Sequence, residues 1–300
     1  MALLAFMGLL YVGWRHSNAI DWTRVLLAPH WGLTSLFFSF LTISLNFRIW
    51  LRLLNRNGED LAIADAYRLY SLASLSRYLP GGQVWQYASL IKFSETPEMK
   101  VRTASSQFFA TLCGLSGGFL LLLLNLNSIN LAKNGQAIAL AGIFLGLLVL
   151  AFNVRASREK MSSVLCWLTR GRFPEIPRIS ALDFTSGILE STISWALTCG
   201  SYLALWVLAG QTATLEVLTF IMASYAVAVL GAYISFVTPA GLGVREGLFA
   251  ALLSLKVPMG VSVFVSLAGG LSLFLAEIFF LSPFLVSHLL NVRRVPSEER

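Results

Sequence analysis

The sequence predicts an all-α membrane protein, a polytopic helix bundle with about six spanning helices and two re-entrant broken-helix hairpins arranged as an inverted repeat. Of the 300 residues, 56% are hydrophobic and only 12% are charged, whereas a soluble domain carries roughly 25% charged residues. Apolar runs long enough for a helix to cross a bilayer recur along the chain. We therefore expect one integral membrane domain over residues 1–300.

In the first half of the chain, apolar runs between charged residues predict three spans and one hairpin. Residues 61–78 are expected to form a helix that ends at Pro80-Gly81-Gly82, because proline lacks a backbone donor and glycine permits a tight turn. A short helix then returns through 83–93. The three predicted spans are 2–14, which is either a short first span or the end of a longer one, 31–54 and 103–126.

The second half begins with a predicted span at 137–152 and a basic segment at 155–178 that holds six lysine and arginine residues. Apolar residues at helical spacing in this segment suit an amphipathic helix on the membrane surface, or a helix packed under the spans. The elements expected to follow are a span at 183–209, a helix at 217–238 that stops at Pro239, a short helix at 242–255, and a last helix that runs to about residue 290.

The distribution of lysine and arginine predicts the orientation. Most of the basic residues behind the net charge of +7 fall in loops and in the C-terminal tail, which should therefore be cytoplasmic. This places the protein in the inner, cytoplasmic membrane as a multi-pass protein with both termini in the cytoplasm. Nucleic-acid binding is not expected, since the charges do not gather on one basic domain. The loops in question are 48–60, 92–102 and 153–178, with the tail at 291–300.

Two cytoplasmic loops, 48–60 and 92–102, flank residues 61–91, so this segment must enter the membrane and return as a re-entrant hairpin. The same reasoning applies to 217–256. Residues 217–238 are also long enough to cross the membrane, so an ordinary span at this position is the alternative.

Two segments of the chain resemble each other. Each break has a serine four residues before its proline, at 76–82 and 235–241, and a second proline follows 17 residues later in the first unit and 19 later in the second. The repeat units are about 61–126 and 217–290, and each carries a paired glycine in its last helix, Gly117-Gly118 or Gly269-Gly270. Three predicted spans, 103–126, 137–152 and 183–209, separate the two breaks, which gives the units inverted topology. Chance similarity of two helix breaks is the alternative.

Charged residues beside the breaks define the candidate site. Arg77 precedes the first break and Arg245-Glu246 follows the second. A charge in hydrocarbon costs at least about 2.5–3.5 kcal/mol, so such residues usually line a cavity or pair with one another. Helix N-termini attract anions, and arginine binds phosphate bidentately. The predicted headgroup-binding set is Arg77, Pro80, Gly81, Gly82, Gln83, Pro239, Gly241, Gly243, Arg245 and Glu246.

The carboxylates near this set have more than one interpretation. Glu246 either neutralises Arg245, exchanges protons, or forms with Arg245 a structural pair against another helix. Glu190 and Glu277 lie in predicted spans and are candidate charge partners for Arg77 and Arg245. The aromatic residues around the first break, which include Trp50 and Tyr78, are of the type that anchors proteins at the membrane interface.

No metal site, cofactor or enzyme activity is expected. The three histidines and three cysteines show no ligand spacing, and no HExxH, CxxC, Walker or GxSxG motif is present. An intramembrane enzyme would have to use Glu246 or Glu190 with Arg245 as an acid–base set, and the sequence offers no nucleophile and base to accompany them.

Three motifs give the chain a family resemblance: Arg48-Ile49-Trp50, Arg77-Tyr78-Leu79-Pro80-Gly81-Gly82 and Pro239-Ala240-Gly241-Leu242-Gly243-Val244-Arg245-Glu246-Gly247. In these it resembles the lysylphosphatidylglycerol synthase transmembrane family, also called the flippase-like domain family, over nearly its whole length. The resemblance implies a polytopic bundle that handles lipids such as aminoacylated phosphatidylglycerol or polyprenyl-linked saccharides, often beside a glycosyltransferase.

The chain also departs from that family's pattern. Many members carry an acidic residue and an arginine soon after the first Pro-Gly, where this chain has Gln83-Val84-Trp85-Gln86-Tyr87, and the soluble lysyl-transfer domain of the synthases is absent. The expected function is therefore a transporter or flippase for an anionic lipid or a polyprenyl-phosphate-linked glycan. The alternative is a non-transporting accessory subunit of a cell-envelope glycosyltransferase pathway, with a glycosyltransferase as its partner.

Overall fold

A computed structural model describes residues 2–56, 61–78, 83–94, 96–129, 180–235 and 243–292, and all regular structure within these ranges is helical. Five of the helices are long and apolar enough to cross a membrane. The chain thus has the architecture of a helical multi-pass membrane protein. The five candidate spans are Pro29–Asn55, Pro97–Leu124, Ala181–Leu208, Leu215–Ala232 and Met259–Pro283.

Ten α-helices can be numbered in the described part of the chain. They are α1 (Ala2–Arg15), α2 (Trp22–Leu27), α3 (Pro29–Asn55), α4 (Ile63–Ser76), α5 (Gln83–Phe93), α6 (Pro97–Leu124), α7 (Ala181–Leu208), α8 (Leu215–Ser235), α9 (Val244–Leu253) and α10 (Met259–Val292).

Each helix predicted within the described ranges is present, which confirms the all-α class. α1 has 14 residues, fewer than the roughly 20 that a span needs, and is not among the five candidate spans. The predicted span at 137–152 and the basic helix at 155–178 lie outside the described residues. The count of six spans and the inverted repeat stay predictions, as does the choice between hairpin and span for 217–238, now seen as α8.

Local capping sets helix starts that hydropathy alone places wrongly. α6 begins at Pro97, because the Thr96 hydroxyl accepts a hydrogen bond from the backbone N–H of Met99 at 3.2 Å and proline suits the first helical turn. The predicted span at 103–126 therefore started six residues too late. Its charged first turns belong to the helix and not to a preceding loop.

α3 and α7 pack antiparallel along a line of polar side chains, called here the α3–α7 seam. Residue numbers rise along α3 as they fall along α7, over about 30 Å, which is close to the thickness of the hydrocarbon core. Small hydroxyl residues allow helices to approach closely in a membrane and to hydrogen-bond across the interface. The contacts are Ser35–Ser201 at 2.7 Å, Thr42–Thr198 at 3.2 Å, Asn46–Ser194 at 2.8 Å, Arg52–Glu190 at 2.5 Å and Arg56–Asp183 at 3.3 Å.

A different face of α7 packs against the paired glycines of both predicted repeat units. A Cβ atom on Gly118 would overlap the ring of Trp195, and one on Gly269 would overlap the ring of Tyr202. Trp195 and Tyr202 are seven residues apart and so lie on one side of α7. The glycines are thus needed for close approach to an aromatic side chain, once in α6 and once in α10.

Candidate functional site

The first part of the site is an ion pair between α4 and α10. Arg77 caps the C-terminal end of α4, where a cation is favoured by the helix dipole, and its Nη2 donates to Glu277 Oε2 at 2.5 Å. The Tyr78 hydroxyl donates to the same carboxylate oxygen. The side chain of Glu277 is only 3% exposed, whereas that of Arg77 is 33% exposed. The carboxylate is therefore sealed, and the guanidinium beside it is accessible.

Aromatic contacts hold α4 against α10 around this pair. The Tyr78 ring lies edge-on to Phe274, with 5.2 Å between the ring centroids. One turn past Glu277, the Tyr67 hydroxyl donates to the carbonyl oxygen of Phe280, and the Phe280 ring also packs on Tyr70. The side chain of Glu277 thus leaves α10 between two aromatic layers.

The second part of the site is the start of α9. Gly243 occupies the N-cap with a φ of 85°, a conformation that a residue with a Cβ atom rarely adopts. Glu246 accepts a hydrogen bond from the Gly243 backbone N–H at 2.7 Å and another from Arg245 Nε at 2.8 Å, and Arg245 Nη2 donates to it as well. With 3% of its side chain exposed, Glu246 both neutralises Arg245 and caps the helix.

The sequence predicted that the helix N-terminus after the second break attracts an anion from outside the helix. The Gly243 N–H already has an internal carboxylate partner, which compensates the positive end of the helix dipole. Of the interpretations given for Glu246, the contacts match neutralisation of Arg245, and they also match a structural pair against another helix, since the pair packs against Gly270 of α10.

One face of α10 connects the two parts. Ser266 Oγ donates to the backbone oxygen of Glu246 at 2.8 Å. A Cβ atom at Gly270 would lie 3.2 Å from Glu246 Oε1 and 3.6 Å from Arg245 Nη2. Glu277, seven residues further on, binds Arg77. Residues seven apart lie on the same side of a helix, two turns or about 10 Å from each other. Both break-flanking arginines therefore meet one stripe of α10, which consists of Ser266, Gly270 and Glu277.

The other site residues predicted from sequence are placed less completely. Pro80, Gly81, Gly82, Pro239 and Gly241 lie outside the described residues, and Gln83 is described only as the first residue of α5.

Glu190 was expected to partner Arg77 or Arg245, and it does neither. It pairs with Arg52 in the α3–α7 seam, because Asp183, Glu190 and Ser194 share the side of α7 that faces α3. Glu277 is the intramembrane carboxylate that meets a break-flanking arginine.

Several residues at the site were missed or misread from sequence. Tyr78 was interpreted as an interface anchor, but its hydroxyl binds Glu277. Trp50, interpreted the same way, is 1% exposed and lies in a buried cluster with Leu54 and Tyr70. Ser266 was missed, because in the sequence it is only a hydroxyl residue within an apolar helix.

The side chains at α10 offer cation, carboxylate and phenol chemistry. Among the described residues, no group of three or more histidine, cysteine, aspartate or glutamate side chains could hold a metal ion. Two arginines that meet one face of α10 offer donors of the kind that bind an anion such as a phosphate.

Comparison with known proteins adds no identification. No protein-family model and no curated protein matches this sequence. The class that the helices define is a multi-pass helical membrane protein, in which two arginine–carboxylate pairs meet one face of α10.

Proposed function

We propose that this protein is a flippase-like transporter that moves the headgroup of an anionic lipid, or of a polyprenyl-phosphate-linked glycan, across the membrane. The observation that carries the proposal is the meeting of Arg77 and Arg245 on one stripe of α10. The two residues come from segments far apart in the sequence, and each stands beside a predicted helix break. Such broken helices form the substrate sites of many secondary transporters.

The depth of the stripe supports a transport role. Gly270 lies near the middle of the candidate span Met259–Pro283, and Glu277 lies two turns beyond it. Charged groups at that depth are costly and mark ion or substrate pathways. A site near the middle of the bilayer can in principle be reached from either face, which alternating access requires.

The exposed flank of α10 supports a lipid as the substrate. Apolar side chains that are at least 38% exposed alternate along the helix with the residues of the stripe. A lipid whose phosphate reaches Arg77 would leave its acyl chains against this flank, inside the bilayer. The exposed residues are Leu271, Phe274, Leu275, Ile278 and Phe279.

The motif resemblance supports the same function. We further propose membership of the lysylphosphatidylglycerol synthase transmembrane family, location in the inner membrane with both termini cytoplasmic, and no enzyme activity. The basic loops and the Pro-Gly motifs support these assignments. A glycosyltransferase partner would follow if the substrate is a lipid-linked glycan.

The test is headgroup translocation in reconstituted vesicles. Phosphatidylglycerol with a fluorescent acyl chain is incorporated into phosphatidylcholine vesicles, and its appearance in the outer leaflet is followed by chemical quenching. Wild-type protein should move the probe, whereas Arg245→Ala and Arg77→Ala should abolish movement when equal amounts of folded protein are reconstituted. Arg68→Ala, an exposed arginine on α4, serves as the matched control and should behave as wild type.

Two results would contradict the proposal. Unchanged transport by Arg245→Ala would exclude the role given to the second break. A wild-type protein that binds the probe but does not move it would instead favour the accessory role, in which a lipid is held for an enzyme.

A further inference from the structure

Both arginines that meet the α10 stripe are already neutralised. Arg77 is paired with Glu277 and Arg245 with Glu246, so the four groups together carry no net charge. The stripe is therefore not a positive patch waiting for an anion. A phosphate bound to Arg77 would therefore add one uncompensated negative charge in an apolar setting, even where the guanidinium keeps an N–H on its carboxylate.

The two carboxylates differ in what their displacement would break. Glu246 is bound within its own helix, to the adjacent Arg245 and to the Gly243 N–H that begins α9. Its departure would uncap the helix. Glu277 instead meets a partner on another element, because Arg77 and Tyr78 at the end of α4 both donate to its Oε2. The exchangeable pair is therefore Arg77–Glu277.

The exposed fractions of the two side chains decide which partner an anion can approach. With a third of its side chain exposed, Arg77 can be approached while Glu277 stays sealed at 3% exposure. If the anion takes or shares Arg77, the anion and the Glu277 carboxylate together carry one negative charge more than that cation compensates, and Glu277 lies in an apolar setting. A buried unpaired carboxylate costs several kcal/mol, and such a group takes up a proton instead.

We propose that Glu277 couples proton binding to anion binding at this site. The inference rests on the proposed function. As a lipid phosphodiester binds Arg77, the Glu277 carboxylate takes one proton from the aqueous phase and becomes a neutral acid. One negative charge and one proton enter together, so the net charge of the site is unchanged. On release of the lipid, the proton leaves and the Arg77–Glu277 pair forms again.

Within the described residues, ionisable groups meet Glu277 from α4. From α4 it faces Arg77 and Tyr78, with Tyr70 close enough to interact with its charge. On α10 itself, residues 266–280 include no other ionisable side chain. Glu246 of α9 meets the stripe at Gly270, about two turns from Glu277, and there the Gly243 N–H and Arg245 hold it.

Linkage then fixes the pH dependence of anion binding. If one proton accompanies each anion, the affinity rises by up to about tenfold for each unit of pH decrease while Glu277 is ionised in the free protein. Glutamine at position 277 mimics the protonated acid. Glu277→Gln should therefore bind the anion more tightly at neutral pH and lose the pH dependence.

The experiment uses purified full-length protein in phosphatidylcholine nanodiscs, with short-chain fluorescent phosphatidylglycerol as the probe. Its affinity is measured at several pH values, and proton uptake is followed with an indicator dye in weak buffer. We expect uptake of about one proton for each probe bound by the wild type and none by Glu277→Gln. Glu216→Gln, which removes a carboxylate paired with Lys256 outside the stripe, should retain the wild-type uptake.

The possible outcomes distinguish a failure of the proton coupling from a failure of the proposed lipid-binding function. Probe binding without proton uptake would overturn the coupling and leave the anion site standing, as would an unchanged pH dependence in Glu277→Gln. A wild-type protein that binds the probe no better than short-chain phosphatidylcholine would overturn both. Should Glu277→Gln fail to fold, the proton count of the wild type decides the question.

Discussion

Removing the two partners of the Arg77–Glu277 pair should have unequal effects on stability. Arg77→Met leaves the Glu277 carboxylate without its cation at 3% exposure. Glu277→Gln leaves Arg77 with a third of its side chain exposed, where water solvates part of the charge, and the amide oxygen still accepts from Tyr78. The asymmetry in burial therefore predicts an asymmetry in the free energy of unfolding.

General magnitudes set the size of the difference. Removing one partner of a buried ion pair costs about 3–5 kcal/mol, and the orphaned carboxylate places Arg77→Met in that range. Weakening hydrogen bonds while keeping an acceptor costs about 1–2 kcal/mol, which is the expectation for Glu277→Gln. The double variant leaves no buried charge, so it should be more stable than Arg77→Met alone by about 2 kcal/mol.

The assay measures unfolding in mixed micelles as the dodecyl sulfate content increases, with tryptophan fluorescence as the readout. The wild type, the two single variants and the double variant form a full double-mutant cycle. The exposed pair Lys256–Glu216 provides the control cycle, and it should show no measurable coupling because solvent screens such pairs. If the loss of unfolding free energy in the double variant equals the sum of the losses in Arg77→Met and Glu277→Gln to within about 0.5 kcal/mol, the two residues do not interact and the reasoning is refuted.

Two further predictions concern packing in the bundle. In the α3–α7 seam, Ser201→Ala should lower the free energy of unfolding by about 1 kcal/mol, since its hydroxyl bonds across to α3. Ser44→Ala removes a bond within one helix and should cost less in the same assay; equal costs would contradict the role of the seam. Gly269→Ala should destabilise by about 1–3 kcal/mol through overlap with the Tyr202 ring. Gly114→Ala, which meets open space, should be neutral or slightly stabilising, and a Gly269→Ala variant with wild-type stability would show that the ring can move aside.

Periodicity and the cost of buried charge predicted much of this structure from sequence. Each described helix except the short α2 was expected, because long apolar runs in this chain have one stable form in a membrane. The high cost of an intramembrane carboxylate reduced the possible partners of Glu277 to two arginines. The contacts then selected Arg77.

The sequence could not predict which side chain on another helix each charged residue contacts. Glu190 and Glu277 look alike in the sequence, and only the rotation of α7 turns Glu190 toward Arg52 in the α3–α7 seam. Hydrophobicity could not separate Trp50 in the core from an interface anchor, because both roles use the same side chain. Glu246 as a helix cap required the positive φ of Gly243, which the sequence allowed but did not demand.

The central claim, that Arg77 and Arg245 serve one site for a phosphate-bearing lipid, is tested most directly by native mass spectrometry of the gently extracted protein. The wild type should retain an anionic phospholipid or a polyprenyl phosphate above its share of the membrane. Arg77→Ala and Arg245→Ala should each lose that enrichment. Bound lipids that match the bulk membrane in the wild type, or an enrichment that survives in both variants, would contradict the claim.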